Sequence, residues 1–266
     1  MDKAGQQYWN DSWASSKLPV AMNPADMSLS NYVNRRFHGL FVRLFDGLQT
    51  PSMRLLEIGC AKSVWLPYFS KEFGFEVCGL DYSPVGCQMA TQILKANGVE
   101  AEIACADLFD PPKSLLESFD VIVSFGVVEH FEDTSACISS ITALLKPGGM
   151  LITSIPNMVG LNGSIQKYVN EPIYNIHHLV DPIMLENSNR MAGLKVSECD
   201  YFMATNFGVS NLAGIKTNNI VGFTKRVFLA ILVRISMFVW LIEERFGFMK
   251  ANKITAPYIY CVARKL

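Results

Sequence analysis

The chain has 266 residues, 23 basic and 24 acidic, for a net charge of −1, and half of its residues are hydrophobic. That is enough apolar material for one domain with insertions. The near-zero charge, with no Lys/Arg-rich block, argues against nucleic acid as a partner. Seven cysteines with no C-x-x-C pair argue against a disulfide scaffold. Cys60, Cys78, Cys105 and Cys261 fall in or beside apolar strands and read as small core residues in a reducing compartment. The start, Met1 to Gly5, has no apolar run, so no secretory signal is expected and the location reads as cytoplasmic.

Residues 1–50 are rich in aromatics, among them Tyr8, Trp9, Trp13 and Tyr32. Phe37, Leu40, Phe41, Leu44 and Phe45 recur at helical spacing. They predict an N-terminal helical extension packed on the domain. From residue 54 onward the periodicity alternates between strand and helix. Arg54–Ile58 predicts a buried strand with Glu57 near its carboxyl end, followed by the small residues Gly59, Cys60 and Ala61. Open α/β sheets bind ligands at the carboxyl ends of their strands, and a turn of small residues lets backbone N–H groups approach a ligand. A helix over 64–73 and a strand over 76–81 follow. The second strand ends at Asp81, about twenty residues after the turn, which is the spacing of an acid that accepts from a ribose.

Ser83 caps and Pro84 opens a predicted helix to Ala96. A strand over 101–106 leads to Asp107, a short helix lies near 112–116, and a strand over 119–125 precedes Gly126 and the Glu129-His130 pair. A helix over 133–146 stops at Pro147-Gly148-Gly149, before a strand over 149–155. Asp181-Pro182 opens a helix to Ala192, followed by strands over 195–201 and 257–265. Such alternation implies a doubly wound, Rossmann-like α/β sheet, mostly parallel, with helices on both faces.

The ordered set "RLLEIGCAKS", "CGLD", "FDVIVSFGVVEHFED" and "LLKPGGMLITSIPN" resembles the class I S-adenosylmethionine-dependent methyltransferases, over about residues 54–200. Within that family the likeness is to the small-molecule branch that includes ubiquinone-biosynthesis and glycan-linked enzymes. The family pattern E-x-G-x-G-x-G here reads Glu57, Gly59, Ala61 and Ser63, so the second and third glycines are replaced. The resemblance implies seven strands, the last antiparallel and at the sheet edge. It also implies S-adenosylmethionine as cofactor, with S-adenosylhomocysteine as product. Carried over position by position, Glu57 would face the donor's amino group or the turn N–H groups, and the backbone of Gly59, Cys60 and Ala61 would pass under the amino acid part. Asp81 would take the ribose hydroxyls, with Tyr82 along the adenine. Asp107 and Leu108 would flank the adenine amino group, and Phe125 and Gly126 the methionine part. The domains expected are a helical extension over 1–50 closing over the cofactor, a core over 51–203, an apolar insertion or lid over 204–254, and a final edge strand over 255–266.

The acceptor would be a small molecule, hydrophobic or lipid- or glycan-linked. An oxygen acceptor would call for a base, and His130, His177 and His178 are the candidates. No close i, i+4 histidine pair or cysteine partner points to a metal, so none is expected. The apolar run at 227–242, interrupted by Arg234, is short of the roughly 20 residues of a membrane span. It reads as a lid or dimer helix, as an interfacial helix, or as one lining a greasy substrate pocket, so the partners expected through 225–247 are a second copy or a membrane surface. Two other functions compete: a dinucleotide-dependent oxidoreductase, disfavoured by Glu57 and by Val64 at the third glycine position, and a non-catalytic binding module on the same fold.

Overall fold

A computed structural model describes residues 2–216 and 218–266. Two helices precede the sheet: α1 (Gln6–Ala14) and α2 (Tyr32–Phe45). The helical spacing in α2 becomes a stripe, with Phe37, Leu40, Phe41 and Phe45 all buried against the domain. The doubly wound part then runs β1 (Arg54–Ile58), a short helix α3 (Leu66–Tyr68), β2 (Glu76–Asp81), α4 (Pro84–Ala96), β3 (Glu102–Cys105), β4 (Phe119–Phe125), α5 (Thr134–Leu144) and β5 (Leu145–Pro156). Helices α6 (Leu161–Val169), α7 (Glu171–Asn175) and α8 (Pro182–Met191) lead to β6 (Leu194–Phe202). The long helix α9 (Ile220–Phe246) precedes β7 (Tyr258–Lys265).

The seven strands form one sheet in the order β3-β2-β1-β4-β5-β7-β6. β1, β2, β3, β4 and β5 pair in parallel, while β7 is antiparallel to both neighbours. The seven-stranded, mostly parallel architecture expected from the alternation is therefore present. The last strand differs in place: β7 lies between β5 and β6, and β6 forms the rim. Antiparallel pairing with β5 on one side and β6 on the other places it there, with Ile259, Cys261, Val262 and Ala263 buried.

Two further differences are local. The helix expected over 64–73 is one α turn followed by a π turn over Phe69–Phe73, closed by Gly74 at φ 77°. Cys105 is exposed, unlike Cys60, Cys78 and Cys261, because β3 is an edge strand. Two apolar cores flank the sheet. One holds Ile138, Ile141 and Leu185 from α5 and α8; the other holds Phe41, Phe69 and Leu94 from α2, the π turn and α4.

Candidate active site

The switch in strand order falls between β1 and β4, which is where open α/β sheets bind ligands. A cavity of about 460 Å³ opens there, a volume within the roughly 300–1,000 Å³ of small-molecule sites. Its floor is Gly59, Asp81, Asp107 and Gly126, each at the end of a parallel strand. Tyr82, Leu108, Phe125 and His130 line its walls.

Gly59 has φ 72°, and a Cβ on it would lie 2.5 Å from Val127 Cγ2. Only glycine holds this turn without strain. Its N–H donates to the Leu80 carbonyl at 2.8 Å, tying the turn to β2. Asp81 is 7% exposed. Its Oδ2 accepts from the Ala61 N–H at 3.1 Å and its Oδ1 from the Ser83 N–H at 2.8 Å. A carboxylate has about four acceptor positions, so each oxygen keeps capacity for a ligand hydroxyl. Burial raises the Asp81 carboxyl above its usual range, against the pull of those backbone donors.

Of the two places the resemblance implies for Glu57, the structure puts it on the side of the turn. It does not line the cavity. It is buried and accepts from the Ser63 hydroxyl, which in turn accepts from the N–H groups of Trp65 and Leu66 at 3.0 and 2.9 Å. Glu57 thus braces the turn from behind. Burial pushes its carboxyl up to about 8. Cys60 and Ala61 also lie behind the surface, fully buried; of the small-residue turn, Gly59 faces the cavity.

The amino-terminal segment forms the roof. Asp2, Trp9 and Trp13 line the cavity, and four bonds strap them down. The Lys3 N–H donates to the His130 carbonyl at 2.9 Å, the Tyr82 hydroxyl to Asp2, the Gln6 amide to the Tyr82 carbonyl, and the Ser83 hydroxyl to Asn10 at 2.6 Å. Sequence reasoning did not place Asp2, Trp9, Trp13, Phe109 or Phe131 in the site. The clustering of tryptophans in residues 1–50 was the one available signal.

Of the three candidate bases, His130 alone lines the cavity. Its ring meets Trp9 edge-on at 5.0 Å and His177 at 4.8 Å. His177 stands one layer behind, and burial together with His130 pushes its pKa down to about 4. His178 contributes its backbone N–H, which donates to the Glu129 carbonyl at 2.6 Å.

A family model described as a methyltransferase domain matches residues 30–198. The chain belongs to the class I S-adenosylmethionine-dependent methyltransferase family. It is similar to the ubiquinone biosynthesis O-methyltransferase of Cereibacter sphaeroides, 29% identical over 152 residues, which cover 57% of this chain and 59% of that protein. The ubiquinone biosynthesis O-methyltransferase of Nitrobacter winogradskyi is 31% identical over 105 residues, 40% of this chain and 39% of that protein. The chain thus spans less than two thirds of the relatives it matches. Among solved structures, the cyclase SpnF aligns over 100% of this chain and 96% of its own, at TM-score 0.62 and 17% identity. The geranyl diphosphate C-methyltransferase of Streptomyces coelicolor A3(2), crystallised with S-adenosylhomocysteine, aligns over 98% of both chains at TM-score 0.61 and 12% identity. These two likenesses establish the fold.

The residues of this methyltransferase-family cavity fit S-adenosylmethionine. Asp81 has free acceptor positions for a pair of hydroxyls. The Gly59 turn excludes a side chain where the ligand would pass. Apolar and aromatic walls are suited to an adenine and a sulfonium, which favours π faces.

Proposed function

We propose that the protein transfers a methyl group from S-adenosylmethionine to a small, hydrophobic or lipid- or glycan-linked acceptor. The observation that carries the reading is the cavity at the β1/β4 switch point, with Gly59 and Asp81 at its floor. S-adenosylmethionine supplies a methyl group already activated by the positive charge on sulfur. The protein's share is therefore alignment and exclusion of water. Asp81 holds the donor by charge-assisted bonds. Trp9, Trp13 and the strapped segment around them cover it. His130 stands at the cavity wall, where it would orient the acceptor or take its proton.

The acceptor class is supported by α9 and by the ubiquinone-pathway relatives. Among the described residues, no helix is long and apolar enough to cross a membrane. Helix α9 nevertheless turns Val227, Ile231, Ile235, Phe238 and Leu241 outward. It packs inward through Gly222, Ser236, Trp240 and Glu243. Its acids Glu243 and Glu244 are engaged by Arg36 and Arg35. Lys225, Arg226, Arg234, Arg245 and Lys250 leave the exposed segment basic. An apolar face rimmed by cations is suited to an anionic lipid surface. No α9 side chain lines the cavity, so the helix would bring the protein to its acceptor and not shape the pocket.

Titration calorimetry with S-adenosylmethionine, S-adenosylhomocysteine and NAD tests the donor. The first two should bind and NAD should not; NAD binding alone would favour an oxidoreductase, and no binding a non-catalytic module. Co-sedimentation with phosphatidylserine-containing vesicles tests α9. A concentration-dependent dimer that ignores vesicles would assign the face to a second copy instead.

A further inference from the structure

Glu129 is 1% exposed, and its Oε2 has no hydrogen-bond partner. A buried carboxylate oxygen without a donor is costly, and such groups call for an explanation. Its other oxygen, Oε1, lies 3.9 Å from His130 Nε2. A Cβ on Gly126, which lines the cavity, would sit 3.6 Å from that same oxygen, so Glu129 lies directly behind the cavity wall.

Two histidines complete the cluster, and their tautomers follow from their partners. His130 Nδ1 lies 3.0 Å from the Ile176 carbonyl, and His177 Nδ1 lies 2.7 Å from the Ile173 carbonyl. A carbonyl only accepts, so each Nδ1 carries the proton. In the neutral rings, each Nε2 is then a bare lone pair. Orientation of a ring by an Nδ1–H to a backbone carbonyl is the usual support of a metal-ligating histidine. One ligand atom from each of Glu129, His130 and His177 lies within 4.8 Å of the other two. Ligands at about 2.1 Å from a tetrahedral ion are about 3.4 Å apart, so inward side-chain rotation of about an ångström would close the site.

We propose that Glu129, His130 and His177 form a divalent-cation site of the two-histidine, one-carboxylate kind, with a coordination position left open on the side of His130, the member of the three that lines the cavity. Two imidazoles and a carboxylate suit a first-row transition ion or zinc better than magnesium or calcium. The inference rests on the reading of the cavity as the methyl-donor site for its consequence. A hydroxyl of the acceptor, held at the open position, would be acidified by the ion and release its proton to solvent. The cation would then do the work otherwise asked of a histidine base. Sequence spacing hides the site, because His177 comes 47 positions after His130 and is brought back by α7.

The test uses the full chain, stripped with EDTA and titrated with Co2+ and separately with Zn2+. One equivalent should bind. Co2+ should give visible d–d bands and two paramagnetically shifted imidazole N–H resonances, from the retained Nδ1 protons. Glu129→Gln and His177→Ala should weaken binding about tenfold or more, and His38→Ala should not. S-adenosylhomocysteine binding by the same variants reports on their folding and on the donor site independently. Failure of wild-type protein to bind S-adenosylhomocysteine would strike the donor reading and leave the metal titration standing. No saturable Co2+ binding, or binding that Glu129→Gln and His177→Ala both retain, would overturn the cation site. Should either variant fail to fold, absence of the two shifted N–H resonances in the wild-type protein would overturn it equally.

Discussion

Ala61 and Gly86 face each other so closely that a Cβ on Gly86 would lie 2.7 Å from the Cβ of Ala61. The family pattern has a glycine at the position of Ala61. Here the methyl is accommodated because the first turn of α4 lacks a side chain at the point of contact. The same imagined Cβ would lie 3.3 Å from Asp81 Oδ1 and 3.2 Å from Trp13 Cδ1. The turn, Asp81 and the roof thus share one tight contact.

Gly86→Ala should therefore act as an overpacking change, costing about 1–3 kcal/mol. Urea denaturation reads the loss, and S-adenosylhomocysteine affinity should fall with it as Asp81 and Trp13 are displaced. Adding Ala61→Gly should restore most of both. A double variant no better than the single one would show that the two residues do not share the contact.

Asp81 makes two backbone bonds, to Ala61 and Ser83, and keeps acceptor capacity toward the cavity. Asp81→Ala should weaken S-adenosylhomocysteine binding by about 1.5–3 kcal/mol, the range for bonds to a charged group. Asp81→Asn keeps one acceptor oxygen and should preserve the fold while still losing affinity. Calorimetry showing wild-type affinity in both would remove Asp81 from the site.

Glu57 gives the fold a pH signature. Burial, opposed by the Ser63 hydroxyl and aided by Asp81, raises its carboxyl from 4.5 to about 8. The folded state therefore keeps this proton where the unfolded state has released it. Its contribution to stability is fully present below about 4.5 and is lost as pH rises toward about 8, at up to ~1.4 kcal/mol per pH unit. Glu57→Gln cannot titrate. The stability of wild type minus that of the variant, from denaturant unfolding, should fall across this window; a flat difference would mean Glu57 is ionised in the folded protein.

Trp240 is the anchor of α9. It stacks on Tyr32 with ring centroids 5.1 Å apart, and its indole N–H donates to the Thr205 carbonyl at 2.9 Å. One turn on, Glu243 accepts from the Tyr32 hydroxyl at 2.7 Å. Trp240→Ala should cost about 3–5 kcal/mol if the helix unfolds with the domain. Should α9 detach by itself, proteolysis would cut within 220–246 while S-adenosylhomocysteine affinity stays near wild type, because α9 is absent from the cavity wall.

The sequence by itself determined the α/β architecture, because its signals are local. Strand and helix periodicities alternate, and Ser83-Pro84 and Asp181-Pro182 open helices as their positions suggest. Gly59, Asp81, Asp107 and Gly126 were legible for the same reason: each directly ends or follows a strand, and the carboxyl ends of parallel strands converge. What only the tertiary structure decided depends on contacts between distant segments. The place of β7 inside the sheet follows from its pairing with β5 and β6, strands remote from it in the chain, which no run of eight residues specifies. The roof of Asp2, Trp9 and Trp13 exists because the amino-terminal segment bonds to Tyr82, Ser83 and His130. The place of Glu57 turned on Ser63, the residue standing at a glycine position of the family pattern, whose hydroxyl donates to the acid behind the turn. Glu129, His130 and His177 meet because His178 pins the segment after α7 to the turn after β4. That is a long-range backbone bond, and residue spacing along the chain carries no trace of it.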